Sequence, residues 1–367
     1  MNKIRILAVN PGSTSIKAAV YEDDECVKTF NVPFDASKTA DKADDMDFQV
    51  SFRAEAVERF LEKEGFDPAS FDVTVGRGGN LHGVKTGAYE VSGYLIEHMH
   101  SLSGPWHASD FGGLIALYFA EKSGCKAYIY DAPSVDELAD IARITGMKDV
   151  YRSGGGHVLN THACALKFAT EKGKDLKELN VIVAHLGGGC SFMAFKNGQM
   201  IDNAPEGAFS PERAGPIPPG RMIDVITKNN LDRRQAYALM RGNAGLKVLL
   251  GTADAIEVEK RISEGDTKAK LVYDAMIYNM AKVVGGLVAE PFEGDVDAVI
   301  ITGSLAYSEY IREYLYRALH KMVKEIVFYP GQEEMNALAA GALRVYKGTE
   351  KANHYNKEIE EEYFSLS

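Results

Sequence analysis

Cysteine is scarce in this chain of 367 residues: there are four, with no Cys-x-x-Cys pair. Neither a disulfide framework nor a structural zinc site is indicated, and a reducing cytoplasm is the expected location. Positive charge is also in deficit, because 41 lysine and arginine residues stand against 52 aspartate and glutamate residues and the net charge is −11. Nucleic acid and anionic membranes select for basic surfaces, so neither is expected as a partner.

Long hydrophobic runs are missing as well. The first run follows Lys3 and Arg5 but reaches Asn-Pro-Gly after a few residues, short of the roughly 7–15 that a signal peptide needs. No later stretch is expected to span a bilayer. What remains is an ordinary globular composition, 46% hydrophobic with 35 glycines, and a length sufficient for two domains that each bury a core.

A glycine-rich hairpin is predicted near the start of the chain. Apolar residues run to Asn10-Pro-Gly12 and resume after the small residues 13–15, which predicts two short strands joined by a tight loop. The unshielded amides of that loop, with the hydroxyls of Ser13 and Ser15, are suited to bind an anion such as phosphate. An ordinary hairpin with a polar turn is the alternative from this stretch alone.

The same pattern returns at residues 181–195. Aligning Asn10 with His185 and continuing without a gap places Gly12 on Gly187. Each copy is a strand, a polar residue, a glycine-rich turn and a returning strand, so the chain is expected to contain a duplicated domain.

A third apolar strand, at 296–303, ends in the small-residue turn Gly303-Ser304. Two phosphate hairpins followed by a late strand and turn are the layout of the actin-like ATPase and sugar-kinase superfamily. The expected fold is therefore α/β: a duplicated actin-like ATPase (ribonuclease H-like) fold whose two domains, 1–150 and 151–334, flank an interdomain nucleotide cleft. A C-terminal helix, 335–360, is expected to pack back on the first domain.

Periodicity and breaker residues predict the local structure between these strands. Residues 35–48 are polar and expected at the surface, and an amphipathic helix is expected at 51–64. Ser109 is expected to cap the helix that follows it. Residues 268–290 repeat apolar side chains every 3.6 residues and predict a core helix, whereas proline excludes helix from 209–221.

Several polar side chains stand at strand ends or helix starts. Arg77, between glycines after a predicted strand, suits a carboxylate or phosphate, and a solvated turn arginine is the alternative. Asp131 ends another strand on the edge where α/β sheets bind ligands, or caps the next turn. His107 precedes a helix N-terminus, where the dipole favours an anion. Arg213 lies in the rigid proline-rich loop.

Two further positions lie at helix starts. The triplet Gly154–Gly156 is typical of a linker between the halves, and His157 after it would face the cleft. Glu333 and Glu334 open a helix, where acidic residues are usual because of the dipole. One of these glutamates could instead hold Mg²⁺ through its waters.

Six short motifs follow one another along the chain. They are Asn10-Pro-Gly-Ser-Thr-Ser-Ile-Lys17, Gly76-Arg-Gly-Gly79, His107-Ala-Ser109, His185-Leu-Gly-Gly-Gly189, Phe209-Ser-Pro-Glu-Arg213 and Glu333-Glu-Met335. Their order and spacing resemble those of butyrate kinases, the branch of the acetokinase family that acts on short-chain fatty acids. The resemblance implies reversible phosphoryl transfer between ATP and a carboxylate, giving ADP and an acyl phosphate. It also implies Mg²⁺ and a homodimer or a larger homo-oligomer.

The resemblance also implies a role for each candidate residue. The first phosphate hairpin would comprise Asn10, Ser13, Ser15 and Lys17, the second His185, Gly187, Gly188 and Gly189, and the adenosine turn Gly303 and Ser304. The groups expected at the substrate carboxylate and the transferred phosphoryl group are Arg77, Arg213, His157, His107 and Gly156. Asp131 and Glu333 are expected at Mg²⁺. Asp131 is also expected to be catalytic.

Departures from the family pattern leave the substrate open. Gly156 stands where the family has phenylalanine, and Ser304 where it has glycine, so butyrate, propionate and branched acids all remain candidates. Two other functions fit the same fold. A sugar or polyol kinase would need a carboxylate base such as Asp131, and a nucleotide-switched ATPase or regulatory module would hydrolyse ATP without an acid.

Overall fold

A computed structural model describes residues 3–12, 15–34, 41–42, 44–102, 106–204 and 207–365. Ser13, predicted to contact phosphate, lies outside the described residues. The chain forms two compact units. Unit 1 comprises the described residues of Met1–Glu137, Ile144–Asn160 and Glu333–Ser367, and unit 2 those of Leu138–Arg143 and Thr161–Gln332.

Strands and helices alternate along the chain. The strands are β1 Arg5–Pro11, β2 Ser15–Glu22, β3 Glu25–Pro33, β4 Val73–Arg77, β5 Ala88–Glu90, β6 Lys126–Tyr130, β7 Val181–Leu186, β8 Cys190–Lys196, β9 Gln199–Asn203, β10 Ala298–Gly303 and β11 Ile326–Pro330. The α-helices are α1 Met46–Lys63, α2 Tyr94–Ser101, α3 Gly112–Ser123, α4 Asp140–Arg143, α5 Val158–Glu171, α6 Pro219–Lys228, α7 Arg233–Met240, α8 Gly245–Leu250, α9 Ala255–Ser263, α10 Thr267–Ala289, α11 Glu309–Leu319, α12 Glu334–Tyr346 and α13 Lys357–Ser365.

The sheet of unit 1 has the strand order β3-β2-β1-β4-β6-β5. β1, β2 and β3 form an antiparallel meander, β4 and β6 run parallel to β1, and β5 pairs antiparallel with β6. β1 and β4 are buried along nearly their whole length because helices α3 and α12 pack on them. The predicted first hairpin is confirmed.

The sheet of unit 2 repeats this topology. Its order is β11-β10-β7-β8-β9, with β7, β8 and β9 as an antiparallel meander and β10 and β11 parallel to β7. β7, β8, β9, β10 and β11 therefore correspond to β1, β2, β3, β4 and β6. The second hairpin and the α/β fold class are confirmed.

The ladder register corrects the gap-free alignment of the two hairpins. Asn10 pairs with Lys17 in the first hairpin, and His185 pairs with Ser191 in the second. The second loop is one residue shorter, so Lys17 corresponds to Ser191 and not to Phe192. A loop made only of glycines closes in fewer residues because glycine reaches backbone conformations closed to other residues.

Two predicted helix starts are wrong. α1 begins earlier than expected, inside the predicted polar segment, because the Asp45 side chain accepts a hydrogen bond from Phe48 N at 2.9 Å and caps the helix. Ser109 does not cap α3, because it lies inside a 3₁₀ turn, Ala108–Phe111, that precedes the helix. The His107 ring caps this turn by accepting a hydrogen bond from Ser109 N.

Two predictions about longer stretches also need correction. Proline does not exclude helix throughout 209–221: α6 begins at Pro219, because the first helical position needs no backbone N–H. By length and composition α10 is sufficient to cross a membrane, contrary to the expectation that no stretch is. In unit 2 α10 packs against β7, β8 and the helices α8, α9 and α11, so its apolar side is core, as predicted.

The division between the units follows the packing of short segments. Apart from 138–143, the described residues up to 160 belong to unit 1, whereas the boundary predicted from the sequence is at 150. The segment 138–143 belongs to unit 2, where Ala139 N donates to Ile201 O at 2.9 Å. The C-terminal part of unit 1 consists of two helices and not the single predicted one: α12 packs on β1, β4 and β6, and α13 follows after a break.

Candidate active site

The first hairpin places the buried side-chain amide of Asn10 beside the exposed ammonium group of Lys17. Gly12 N donates to Ser15 O at 2.8 Å and closes the loop. Asn10, 6% exposed, and Lys17, which is exposed, are cross-strand partners and so stand on the same face of the sheet. Two of the predicted phosphate contacts are therefore neighbours.

Glu334 connects this hairpin to Arg77. Asn10 Nδ2 donates to Glu334 Oε2 at 2.7 Å, and Arg77 Nη1 lies 3.9 Å from Glu334 Oε1. Both charged side chains are largely buried, at 19% exposed for Arg77 and 12% for Glu334. Sequence reasoning selected Glu333 from this pair and missed Glu334.

Glu333 has other partners. Its Oε2 accepts a hydrogen bond from Asn336 Nδ2, and its backbone N donates to Asn160 Oδ1 at 3.0 Å. The side chain is exposed at the start of α12. The two adjacent glutamates thus have different surroundings, which the helix start alone does not reveal.

The Arg77 motif packs directly on the segment that holds His107. A Cβ at Gly76 would lie 2.0 Å from Gly112 O, so only glycine allows β4 to approach α3 this closely. Asp110 joins the two segments, because its Oδ1 accepts from Asn80 N and its Oδ2 from His107 N, each at 2.8 Å. Two motifs that are separate in sequence therefore form one assembly in unit 1.

The turn after β6 packs against the glycine triplet. Gly156 N donates to Pro133 O at 2.8 Å, and a Cβ at Gly155 would lie 2.8 Å from the same oxygen. The triplet therefore packs closely on the chain just past Asp131, and His157 follows it at the start of α5.

Asp131 itself is buried, with 2% of its surface exposed. Its Oδ1 accepts a hydrogen bond from Gly87 N at 2.7 Å, and its φ is +43°. It therefore fixes the loop before β5, a bond to an earlier segment and not the cap of the next turn that the sequence left open. A role for Asp131 at a metal stays a prediction.

The second hairpin collects three predicted motifs of unit 2. Gly187 N donates to Gly189 O at 3.1 Å and closes the loop. Gly188 O accepts from Ser210 Oγ at 2.6 Å and from Glu212 N at 3.1 Å, which fixes the proline-rich loop against the hairpin.

The Gly303 turn lies on the other side of this hairpin. Gly303 has φ +91°, and a Cβ there would lie 2.2 Å from Leu186 O. A Cβ at Gly187 would lie 3.3 Å from His185 Nε2 and 3.8 Å from Ser304 Oγ. The loop of 187–189 is therefore surrounded by small residues, hydroxyls, the buried His185 and the Glu212 carboxylate, whose Oε2 lies 3.0 Å from the position of a Cβ at Gly188.

Arg213 lies beside the same loop, and its charge influences the pKa of the Cys190 thiol. Burial raises the pKa of the Cys190 thiol to about 12, and the positive charge of Arg213 opposes that rise. Arg213 is half-buried, with Nη1 3.5 Å from Glu212 O. The structure thus brings together His185, the glycine loop, Arg213 and the Gly303 turn within unit 2, and Asn10, Arg77 and Glu334 within unit 1.

Solved structures share this architecture. The acetate kinase of Porphyromonas gingivalis matches with a TM-score of 0.77 at 18% identity, over 93% of this chain and 99% of that one. The repeated sheets and this likeness define the class of protein as one with a duplicated actin-like ATPase fold.

Sequence relatives narrow the class. Residues 143–337 match the acetokinase family. The chain is 37% identical to butyrate kinase 2 of Clostridium acetobutylicum over 96% of this chain and 99% of the relative. It is 40% identical to a probable butyrate kinase of Bacteroides thetaiotaomicron over 94% of this chain and 98% of the relative. The chain belongs to the acetokinase family and is a phosphotransferase with a carboxyl group as acceptor.

Proposed function

We propose that the protein transfers the terminal phosphoryl group of ATP reversibly to the carboxylate of a short-chain fatty acid, butyrate or a branched relative. One carboxylate oxygen forms a bond to phosphorus while the bond from phosphorus to the ADP oxygen breaks. The products are an acyl phosphate and ADP. The similarity to butyrate kinases over nearly the whole chain supports this choice of acid.

The observation that carries the proposal is an unsatisfied donor on Arg77. Its Nε is buried and has no hydrogen-bond partner among the described residues. Leaving such a donor unpaired costs about 1–3 kcal/mol, and more for a charged group. Because Glu334 lies 3.9 Å from Nη1, beyond hydrogen-bond length, the guanidinium keeps donors for an anion. A carboxylate or a phosphoryl group matches its fork of N–H groups.

The second hairpin is suited to the phosphates of ATP. Gly187 N closes the loop on Gly189 O, and the amides of Gly188 and Gly189 carry no side chains of their own that would keep phosphate oxygens away. The half-buried Arg213 beside this loop brings positive charge into a chain whose net charge is −11. We assign the phosphates to this loop and the adenosine to the Gly303-Ser304 turn.

The chemistry requires alignment and charge compensation and no general base. A carboxylate is already ionised at pH 7, and the transition state of phosphoryl transfer is loose, with charge spread over the transferred oxygens. We assign Arg77 to the substrate carboxylate, Arg213 and His157 to the phosphoryl group, and His107 and Gly156 to the surroundings of the acid. Asn10, Ser15 and Lys17 would contact the phosphate chain.

We assign Mg²⁺ to Glu333 and Asp131, as the resemblance to the family implies. Mg²⁺ takes oxygen ligands and usually keeps several waters, binding through one or two carboxylates. The exposed Glu333 would hold the hydrated ion, and the buried Asp131, bonded to Gly87 N, is assigned as a second carboxylate from the family resemblance alone. Such an ion would neutralise phosphate charge while the residues above orient the two anions.

Assembly and location belong to the same proposal. Large apolar side chains are exposed on unit 2, among them Ile223, Val248 and Leu271, which supports a homodimer or a larger homo-oligomer. All four cysteines are free, as expected for a cytoplasmic enzyme.

An ADP-release assay over a panel of acids tests the proposal. The purified chain is given ATP and Mg²⁺ with acetate, propionate, butyrate, isobutyrate, valerate or benzoate, and hydroxylamine traps any acyl phosphate as a hydroxamate. We expect acid-dependent ADP release in step with hydroxamate, fastest for a short aliphatic acid. Hexose and glycerol serve as controls for a sugar or polyol kinase. ADP release that is independent of acid, or that responds to a sugar without hydroxamate, would contradict the proposal.

A further inference from the structure

Two histidines and a glutamate meet in unit 1 away from the candidate active site. His82 follows β4, His98 lies on α2 and Glu360 lies on α13. His98 Nδ1 is 3.4 Å from Glu360 Oε2, and His82 Nδ1 is 3.8 Å from Glu360 Oε1. One ligand atom from each residue lies within 4.8 Å of the other two.

One ring nitrogen of each histidine lacks a hydrogen-bond partner in the described part of the chain. His82 Nδ1 and His98 Nε2 are buried and accept or donate no hydrogen bond among the described residues. His98 is only 5% exposed, so water does not easily replace a missing partner.

From this arrangement we infer that His82, His98 and Glu360 bind one divalent transition-metal ion of the Zn²⁺ type, which fastens α13 to α2. Tetrahedral ligands at about 2.0–2.2 Å from such an ion lie roughly 3.3–3.5 Å apart. The distance of 3.4 Å from His98 Nδ1 to Glu360 Oε2 matches that spacing, and the distance of 3.8 Å from His82 Nδ1 to Glu360 Oε1 is close to it. Two imidazoles and one carboxylate select Zn²⁺, Co²⁺ or Ni²⁺ over Mg²⁺, which prefers oxygen ligands.

The surroundings of the three residues support a metal. Tyr94 OH donates to Glu360 Oε2 at 2.7 Å, an outer hydrogen bond of the kind that orients a ligating carboxylate. The rings of Tyr355 and Phe364 lie 5.3 Å from His98 and 4.8 Å from His82, centroid to centroid, and pack against the two histidines. The three protein ligands leave a fourth position for water.

Cobalt titration of the full-length, chelator-stripped protein tests the inference. We expect one Co²⁺ per chain with the visible absorption of a tetrahedral complex, displaced by Zn²⁺. His82→Gln and Glu360→Gln should each weaken binding by about a hundredfold or more, because each removes a ligand. His100→Gln is the matched control, since His100 lies on the same helix but pairs with Asp47 at 2.9 Å. It should bind Co²⁺ as the wild type does.

Hydrogen exchange separates the metal site from the phosphotransferase reaction. Zn²⁺ should slow exchange of the α13 amides in the wild type and in His100→Gln and leave it unchanged in His82→Gln, whereas acid-dependent ADP release with Mg²⁺ should not depend on His82. Absence of Co²⁺ binding by the wild type, or equal binding by His82→Gln and the wild type, overturns the inference. Either result leaves the proposed kinase function untouched.

Discussion

The backbone of Gly303 allows a sharp test of how the turn beside the second hairpin is built. Its φ of +91° and ψ of 176° fall in a region open almost only to glycine. An added Cβ would lie 2.2 Å from Leu186 O, although real Cβ atoms essentially never approach closer than 3.0 Å. We expect Gly303→Ala to lower the unfolding free energy of unit 2 by about 1–3 kcal/mol through backbone conformation alone. The clash adds to this loss.

Two other glycines separate these contributions. Gly251 also has a positive φ, +80°, but a Cβ there meets nothing within 4 Å, so Gly251→Ala should cost only the backbone part, about 1–2 kcal/mol. Gly286 lies inside α10 with nothing within 4 Å, and Gly286→Ala should stabilise by about 0.5–1 kcal/mol. Native-state hydrogen exchange at the β10 amides measures all three.

From the most to the least stable, the order should be Gly286→Ala, wild type, Gly251→Ala and Gly303→Ala. Isothermal titration should also show weaker ATP binding by Gly303→Ala alone, because only this substitution displaces the turn from the hairpin. If Gly303→Ala is as stable as Gly251→Ala and binds ATP normally, the close approach to Leu186 is not what holds the turn, and the reasoning fails.

Two further substitutions and one labelling experiment test the structure. Arg213→Ala should lower turnover about 10²–10³-fold while ATP still binds in titration calorimetry; near-normal turnover would remove Arg213 from the mechanism. Glu334→Gln should lower kcat/KM for the acid by up to about fivefold, because Arg77 loses an ion pair worth about 1 kcal/mol. The exposed Glu358→Gln should leave it unchanged. Equal values for the two variants would rule out positioning by Glu334. The half-buried Cys190, with its pKa raised to about 12 by desolvation, stays protonated at pH 8 and should react with iodoacetamide far more slowly than the exposed Cys26, as peptide mass spectrometry would show. Comparable rates would contradict the raised pKa.

Local patterns predicted the strands and loops well. The two hairpins show apolar runs interrupted by small residues, and the structure has strands at both. Gly124 ends α3 in the left-handed conformation because a glycine after an apolar periodic run is a local signal. The repeated pattern of strand, glycine-rich turn and returning strand also predicted the duplicated domain. Such a repeat is visible in the order of residues along the chain and does not depend on distant contacts.

Distant contacts explain what was missed. Asn10 and Glu334 are 324 positions apart, so no periodicity or spacing connects them. The one-residue difference between the hairpins appears only in the pairing of strands, and the role of Asp110 depends on two loops meeting. Capping by His107 was missed because histidine is not among the residues that usually cap helices.

The matching topology of the two sheets shows where the halves of the chain have diverged. Val9 pairs with Gly76 in one sheet and Ala184 with Ile301 in the other, so the strand position held by Arg77 is held by Thr302 in the second copy. Thr302 is 1% exposed and its hydroxyl donates to Gly331 O at 3.2 Å. One copy now carries a charged group at this strand end, and the other carries a neutral group that bonds within its own unit. The same strand position is therefore available to bind an anion in the first copy and is closed to one in the second.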